Sequence, residues 1–407
     1  MKNVFLTAAL LFSLLISAAP AKHVIYHEER AAGESVTPTG LFTVTDNETP
    51  RKTQKAQKSS LASRLTQTGK DFFWKPSQIE HKATGGADLT DACLSQDESL
   101  LVIAEKIGGT NKNNATRLIL FDLKNKRIAA GHLLKKRRIT AIRFLPGTDQ
   151  LLAVQEEQPV FGNKNAVIKV DLKTGEVTAS SLSAPGKITS FCSNGRKVWY
   201  TVENVKQIFE LSAGDLSASA GISTAVSAPK AALSPDNSHL VVYGNGPAEI
   251  YAVAGNRSAG LAETADLPGT QKDAICLVLN NKASQLLFVE PEKKVVFVQN
   301  GVSRTLVEKN TALSAYFPKH NALLQGVEKL NAIVNIALPG GDQTEKPLQP
   351  GKLKPLSRNA NWALLPLSAK NIKAVLIDHR GNIMILEKTK RRWKKYVLLT
   401  VDKTGYR

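Results

Sequence analysis

A pattern that recurs about every 45 residues constrains this chain more than any other feature. The segments TDACLSQDESLLVIAE (90–105), ITAIRFLPGTDQLLAVQE (139–156), ITSFCSNGRKVWYTVE (188–203) and PKAALSPDNSHLVVYGN (229–245) stack on one another. Weaker copies follow at 273–290, 313–328 and 356–367. Each reads as a short apolar strand, a turn such as Pro146-Gly147-Thr148-Asp149 or Ser234-Pro235-Asp236-Asn237, and a second, more apolar strand. That is a β-hairpin with its turn chemistry in place. A third strand comes next, at 117–128, 166–177, 207–216, 248–256, 294–301, 331–341 and 373–382, and a weaker fourth follows most of these.

Residues 88 to 401 span 314 positions, so seven units average about 45 residues, the length of a four-stranded sheet that repeats around a ring. A unit of that size cannot bury both its faces alone and must stack on its neighbours. Closing the stack into a ring removes exposed edges. The expected fold is therefore all-β: a β-propeller of seven blades, each of four antiparallel strands, occupying 71–407 with its repeats at about 88–401. A β-sandwich gives no reason for hairpin, turn and third strand to recur in order.

Several of these residues carry a resemblance to the WD-repeat and YVTN-type propellers. Gly131-His132 precedes the first strand of the second unit, Pro146-Gly147-Thr148-Asp149 makes its turn, and Val170-Asp171 stands where that family places Trp-Asp. Ser234-Pro235-Asp236-Asn237 matches the family's turn in the fourth unit. Trp-Asp itself occurs nowhere, which makes the exported bacterial YVTN-like rings the nearer comparison. The resemblance implies a scaffold or binding role; as the alternative it implies an enzyme of the lactonase or quinone-linked dehydrogenase kind, with its site in the central channel.

The N-terminus indicates export. Met1-Lys2 is a basic start, Val4 to Ile16 is an apolar run and Ala19-Pro20-Ala21 closes it, which reads as a cleavable signal peptide over 1–21. The run is shorter than the roughly 20 apolar residues of a membrane span. Residues 22–70 read as a disordered linker, because Glu34 to Ser60 is rich in Thr, Lys, Gln, Glu and Pro and has no sustained apolar period. The expected location is secreted or periplasmic, with no transmembrane segment after cleavage and a monomeric chain.

Charge then narrows the partner. The chain has 54 Lys+Arg against 35 Asp+Glu; without Lys2 the mature chain carries 53 − 35 = +18. An exported chain has no reason to meet nucleic acid, so the expected partner is a protein or an anionic polymer of the cell envelope. Two basic runs are candidate binding residues: Lys135, Lys136, Arg137 and Arg138 between the first two units, and Arg391, Arg392, Trp393, Lys394 and Lys395 near the C-terminus, where an aromatic ring interleaves with charge. The first run adjoins the loops 106–115 and 157–165, and that side of the early blades is the expected partner surface. The side carrying the second run depends on whether 383–387 is a third or a fourth strand.

A carboxylate also recurs. Glu105, Glu156, Glu203, Glu290 and Glu328 close the second strand in five of seven units, with Asn245 in a sixth. A carboxylate there can accept backbone hydrogen bonds or pair with a nearby Lys or Arg, so these five are expected to be structural repeat positions. Other candidates are weaker. His23 and His27 stand four apart before Glu28-Glu29, but a metal site needs a third ligand and a rigid frame. Cys93, Cys192 and Cys276 fall in first strands of non-adjacent units and are expected to be buried free thiols. No G-x-S-x-G, G-x-x-x-x-G-K-[ST], H-E-x-x-H or C-x-x-C-H motif occurs, and no catalytic, metal or cofactor residue is assigned.

Overall fold

The computed structural model of the chain describes residues 88–107, 115–157, 164–180, 183–253, 260–265, 274–290, 294–307, 313–317, 320, 322–327, 332–337, 342–347, 361–378, 381–389 and 393–399, with two-residue strands at 35–36, 42–43, 401–402 and 405–406. The expected signal peptide, nearly all of the expected linker and His23 and His27 lie outside the described residues.

Seven four-stranded antiparallel sheets form, each from four consecutive strands. The first blade comprises Asp88–Leu94, Leu100–Ile107, Ala115–Asp122 and Arg127–Lys135; the second, Ile139–Phe144, Gln150–Gln155, Ala166–Asp171 and Val177–Ala179; the third, Ile188–Ser193, Lys197–Val202, Gln207–Ser212 and Ala218–Ser223. The fourth is Ser227–Leu233, His239–Asn245, Ala248–Ala252 and Gly260–Ala265, and the fifth Ile275–Val278, Gln285–Val289, Val295–Gln299 and Val302–Val307. Leu313–Phe317, Ala322–Val327, Ala332–Ala337 and Asp342–Pro347 make the sixth, and Asn361–Leu367, Lys373–Asp378, Ile383–Lys388 and Trp393–Leu399 the seventh.

Burial explains why the strands differ in composition. The third strand of the first blade is buried at all eight positions, because a middle strand is covered on both faces by adjacent blades. Its fourth strand alternates buried and exposed positions, as expected of an outer edge. One apolar cluster joins Leu101 and Phe121 of the first blade, Ile142 and Leu151 of the second, and Leu365 and Ile377 of the seventh. The seventh blade thus packs on the first and closes the ring. The backbone N–H of Ser368 seals this seam by donating to Glu98 Oε1 at 2.7 Å across 270 residues of sequence.

Turn chemistry accounts for the hairpins. Ser95 and Ser234 each donate to an aspartate two residues on, Asp97 and Asp236, at 2.7 Å, and each hydroxyl accepts the N–H that opens the second strand, from Leu100 and His239 at 2.9 Å. Glu98 and Asn237 take the positive φ, 53° and 59°, that such a turn needs. Asp122 and Asp171, which close third strands, accept two backbone N–H bonds each from the turn that follows.

The seventh blade corrects one sequence expectation. Residues 356–367 read as a hairpin and 373–382 as a third strand. Instead, Asn361–Leu367 is one strand that pairs along its length with Lys373–Asp378, the second strand of the blade. The turn therefore falls at 368–372, and Ile383–Lys388 is the third strand.

Candidate functional site: one face and an axial cavity

Up-and-down connectivity puts second-to-third-strand connections and blade-to-blade connections on one face, here called upper. The first-to-second and third-to-fourth turns lie on the lower face. The first basic run is the connection from the first blade to the second, on the upper face. Lys135 and Lys136 are exposed, and Lys136 adopts φ 59°. The two arginines turn back onto the second blade. Arg137 donates from Nη1 to Gln155 Oε1, and burial pulls its guanidinium below its usual pKa. Arg138 Nε lies 2.7 Å from Glu156 Oε2, while its carbonyl accepts the Glu156 N–H at 2.9 Å. Thr116 Oγ1 pins the connection from beneath, donating to Arg137 O and accepting from Ile139 N, each at 3.0 Å. The run is therefore a folded strap with two lysines outward and two arginines used within the fold.

Three further exposed lysines share this face: Lys164 before the third strand of the second blade, Lys187 between the second and third blades, and Lys206 in the third. The exposed carboxylates among them are Glu157 and Glu203. Among the described residues of three consecutive blades, five exposed lysines thus face two exposed glutamates.

The second basic run goes elsewhere. Because Ile383–Lys388 is the third strand and Trp393–Leu399 the fourth, the fourth strand begins at the lower face, opposite the first run. Arg391 and Arg392 lie outside the described residues. Trp393, Lys394 and Lys395 begin the outermost strand of the seventh blade, in register with Lys388, Glu387 and Leu386, and Lys394 is exposed. The two runs do not form one site.

The recurrent glutamates serve different local needs. Glu105 is buried and takes a charge-assisted hydrogen bond from Arg117 Nε at 2.8 Å, its directly opposite residue on the third strand. Glu156 pairs with Arg138 as above. Glu290 is buried, with Lys294 Nζ 3.7 Å away across the loop. Glu203 is exposed, its N–H donating to Lys187 O at 2.8 Å, and Glu328 lies outside the described residues.

At the ring axis, a position that the sequence reading passed over organises the blades. The first strands of blades one to three carry a bulge at Thr90, Thr140 and Thr189, and the fourth blade carries a wider one at Ala228-Pro229. A bulge re-aims the next side chain, and those side chains are Asp91, Ala141, Ser190 and Lys230. Three of them reach the following blade. Asp91 Oδ2 accepts from Ile142 N at 2.8 Å and from Arg143 Nη1 at 3.0 Å. Ser190 Oγ accepts from Ala231 N at 2.9 Å, and Lys230 Nζ donates to Ala274 O at 3.0 Å. Ala141 has no group to offer. Beside it lies a cavity of about 280 Å³, lined among others by Asp91, Ala141, Arg143, Phe191 and Lys230. The signal was present in the sequence as Leu89-Thr90, Ile139-Thr140 and Ile188-Thr189, a Thr after an aliphatic residue at the start of each first strand.

Other seams use buried polar groups set inside apolar strands. His132, on the fourth strand of the first blade, places Nε2 2.8 Å from Leu172 O of the second, and burial lowers its pKa against the opposing pull of that carbonyl and of Asp171. Lys169 Nζ donates to Ala213 O and Gly214 O of the third blade. Glu249 gathers Thr224 Oγ1, Ala225 N and the Tyr251 hydroxyl. The three cysteines are buried free thiols on first strands, and burial pushes the Cys276 thiol up. Among the described residues no group of three His, Cys, Asp or Glu is placed to hold a metal, and no helix is long and apolar enough to cross a membrane.

Seven radial four-stranded sheets closed by their own last blade define a β-propeller. No family model matches the sequence, and no curated protein does. Solved structures similar to the chain include Hsv2 of Kluyveromyces marxianus, 13% identical, covering 76% of this chain and 97% of that one at a TM-score of 0.49. Another is Hsv2 of Kluyveromyces lactis with a complete loop 6CD, 12% identical, covering 76% and 98% at a TM-score of 0.49. The fold assignment rests on this chain's own strand order.

Proposed function

We propose that this chain is an exported, non-catalytic binding module whose upper face, over the first three blades, docks a polyanionic partner of the cell envelope, either an anionic polymer or an acidic protein surface. The observation that carries this reading is the charge imbalance of that face. Lys135, Lys136, Lys164, Lys187 and Lys206 are exposed there against Glu157 and Glu203, on a chain whose formal net charge is +19. Like charges spread over a rigid rim repel one another weakly in water and attract an extended polyanion at several points at once. The signal-like residues 1–21 and the resemblance to exported YVTN-type rings support an exported location. A binding role also fits the axis better than acid–base chemistry does, because Asp91 is already engaged by Ile142 N and Arg143.

The test is a pull-down from envelope extract at low and high salt. The reading expects a partner retained at about 50 mM salt and released at about 500 mM, where charges are screened beyond a few ångströms. Retention that ignores salt would contradict it.

A further inference from the structure

The outer rim carries a second surface, independent of the upper face. Five large apolar side chains are exposed among the described residues, Leu133, Leu261, Val302, Tyr396 and Val397, and all five lie on fourth strands. Blade seven holds two of them side by side on Trp393–Leu399, which ends its sheet; among the described residues no strand pairs with its outer edge.

Register shows where these side chains point. Tyr396 stands opposite Ile385, which packs in the apolar cluster shared with blade one, and Val397 stands opposite Met384, which packs in the cluster shared with blade six. Opposite residues share a face of the sheet, so the edge is apolar on both faces. Leu133 follows His132, which reaches blade two, and successive side chains of a strand alternate. Leu133 therefore points to blade seven, and with Tyr396 it lines opposite walls of the closing seam.

Native edges are blunted by charge, proline, shortness or a bulge. The fourth strand of blade two has three residues, and those of blades four, five and six carry Glu263, Arg304 and Glu345 within them. In blade seven the lysines stand only at the start, with Lys394 exposed, and register runs unbroken from Trp393 to Val397 before the bulge at Leu398. Open backbone groups with cations at one end and apolar side chains at the other match an extended segment that carries carboxylates and aliphatic groups. A second copy fits less well, because it would bring a chain of formal charge +19 against its like.

We propose that the outer edge of blade seven takes an extended acidic and aliphatic segment of a partner protein as a fifth strand, its carboxylates at the Lys394 end and its aliphatic side chains against Tyr396 and Val397. The experiment is fluorescence anisotropy of the full chain with the labelled peptide Thr-Ile-Val-Glu-Glu-Thr, whose order runs antiparallel to the edge. It should bind with a Kd below about 100 μM at about 150 mM salt. N-methylation of alternate amides should abolish binding in one phase and spare it in the other, because only every second N–H of an added strand faces the edge. Tyr396→Lys combined with Val397→Lys should weaken binding at least about tenfold, although it adds two positive charges that would tighten a purely electrostatic contact. Lys164→Glu combined with Lys187→Glu, on the upper face, should keep affinity within about threefold. Should the double lysine variant fail to fold by circular dichroism, the two methylated peptides carry the test on the parent chain. The proposal is overturned if the peptide does not bind, if both methylated forms bind alike, or if the folded double lysine variant binds as tightly as the parent. Loss in the Lys164 and Lys187 variant would place the peptide on the upper face and overturn it too, as would a dimer in ultracentrifugation that the double lysine variant dissolves, which would give the edge to a second copy.

Discussion

Replacing Asp91 by Ala removes the latch between the first and second blades, and its cost can be worked from the contacts. The carboxylate is buried and accepts from the N–H of Ile142, itself fully buried, at 2.8 Å. Leaving a buried donor without its acceptor costs about 1–3 kcal/mol, the upper part of that range when the lost acceptor is charged. Loss of the Arg143 pair adds less than about 1 kcal/mol, since the Arg143 side chain is 23% exposed and solvent screens the pair. The sum is about 3 kcal/mol, and Asp91→Asn, which keeps one carbonyl acceptor, should lose roughly half of it. Urea unfolding followed by tryptophan fluorescence reads this as a lower midpoint with an unchanged slope. A midpoint for Asp91→Ala within about 0.5 kcal/mol of the parent chain would refute the idea that bulge-borne side chains hold the inner seams together.

Other outcomes follow from the buried polar groups. Arg117→Met takes the guanidinium away from the buried Glu105 carboxylate and should cost about 3–5 kcal/mol, whereas Glu105→Leu combined with Arg117→Met should recover most of that loss in the same urea assay. His132 has a pKa lowered by burial, so below its unfolded value of about 6.5 the unfolded chain takes up a proton that the folded chain resists. Stability should therefore fall as pH drops from about 7.5 to 5, and His132→Gln should flatten that part of a melting-temperature profile. Cys93, Cys192 and Cys276 should be silent to a thiol reagent in the native state and give three equivalents in denaturant, with no change in melting temperature on adding a reductant.

How much could be read beforehand varies from residue to residue for physical reasons. The hairpins were legible because Ser-x-Asp and Pro-Gly-Thr-Asp turns act locally, through hydrogen bonds two to five residues apart. Apolar middle strands were legible because both their faces are covered. The seventh blade was misread because 356–367 lacks those turn residues, so only pairing with Lys373–Asp378 fixes its register. Arg117, Lys169, Glu210 and Glu249 interrupt apolar strands and read there as noise; each finds its partner across a strand pair or a seam, which no local pattern encodes. The basic runs were visible as charge, but the use of Arg137 and Arg138 inside the fold, and the separation of the two runs onto opposite faces, depend on strand count and blade packing.

The most direct measurement of the central proposal compares the two faces. Lys135→Glu, Lys136→Glu and Lys164→Glu together reverse charge on the upper face, and Lys124→Glu, Lys126→Glu and Lys173→Glu do so on the lower face with the same change of −6 in net charge. Retention on envelope material at about 50 mM salt should be lost in the upper-face variant and kept in the lower-face one. Equal loss in both would mean that overall charge, and not the upper face, governs binding, and would contradict the account.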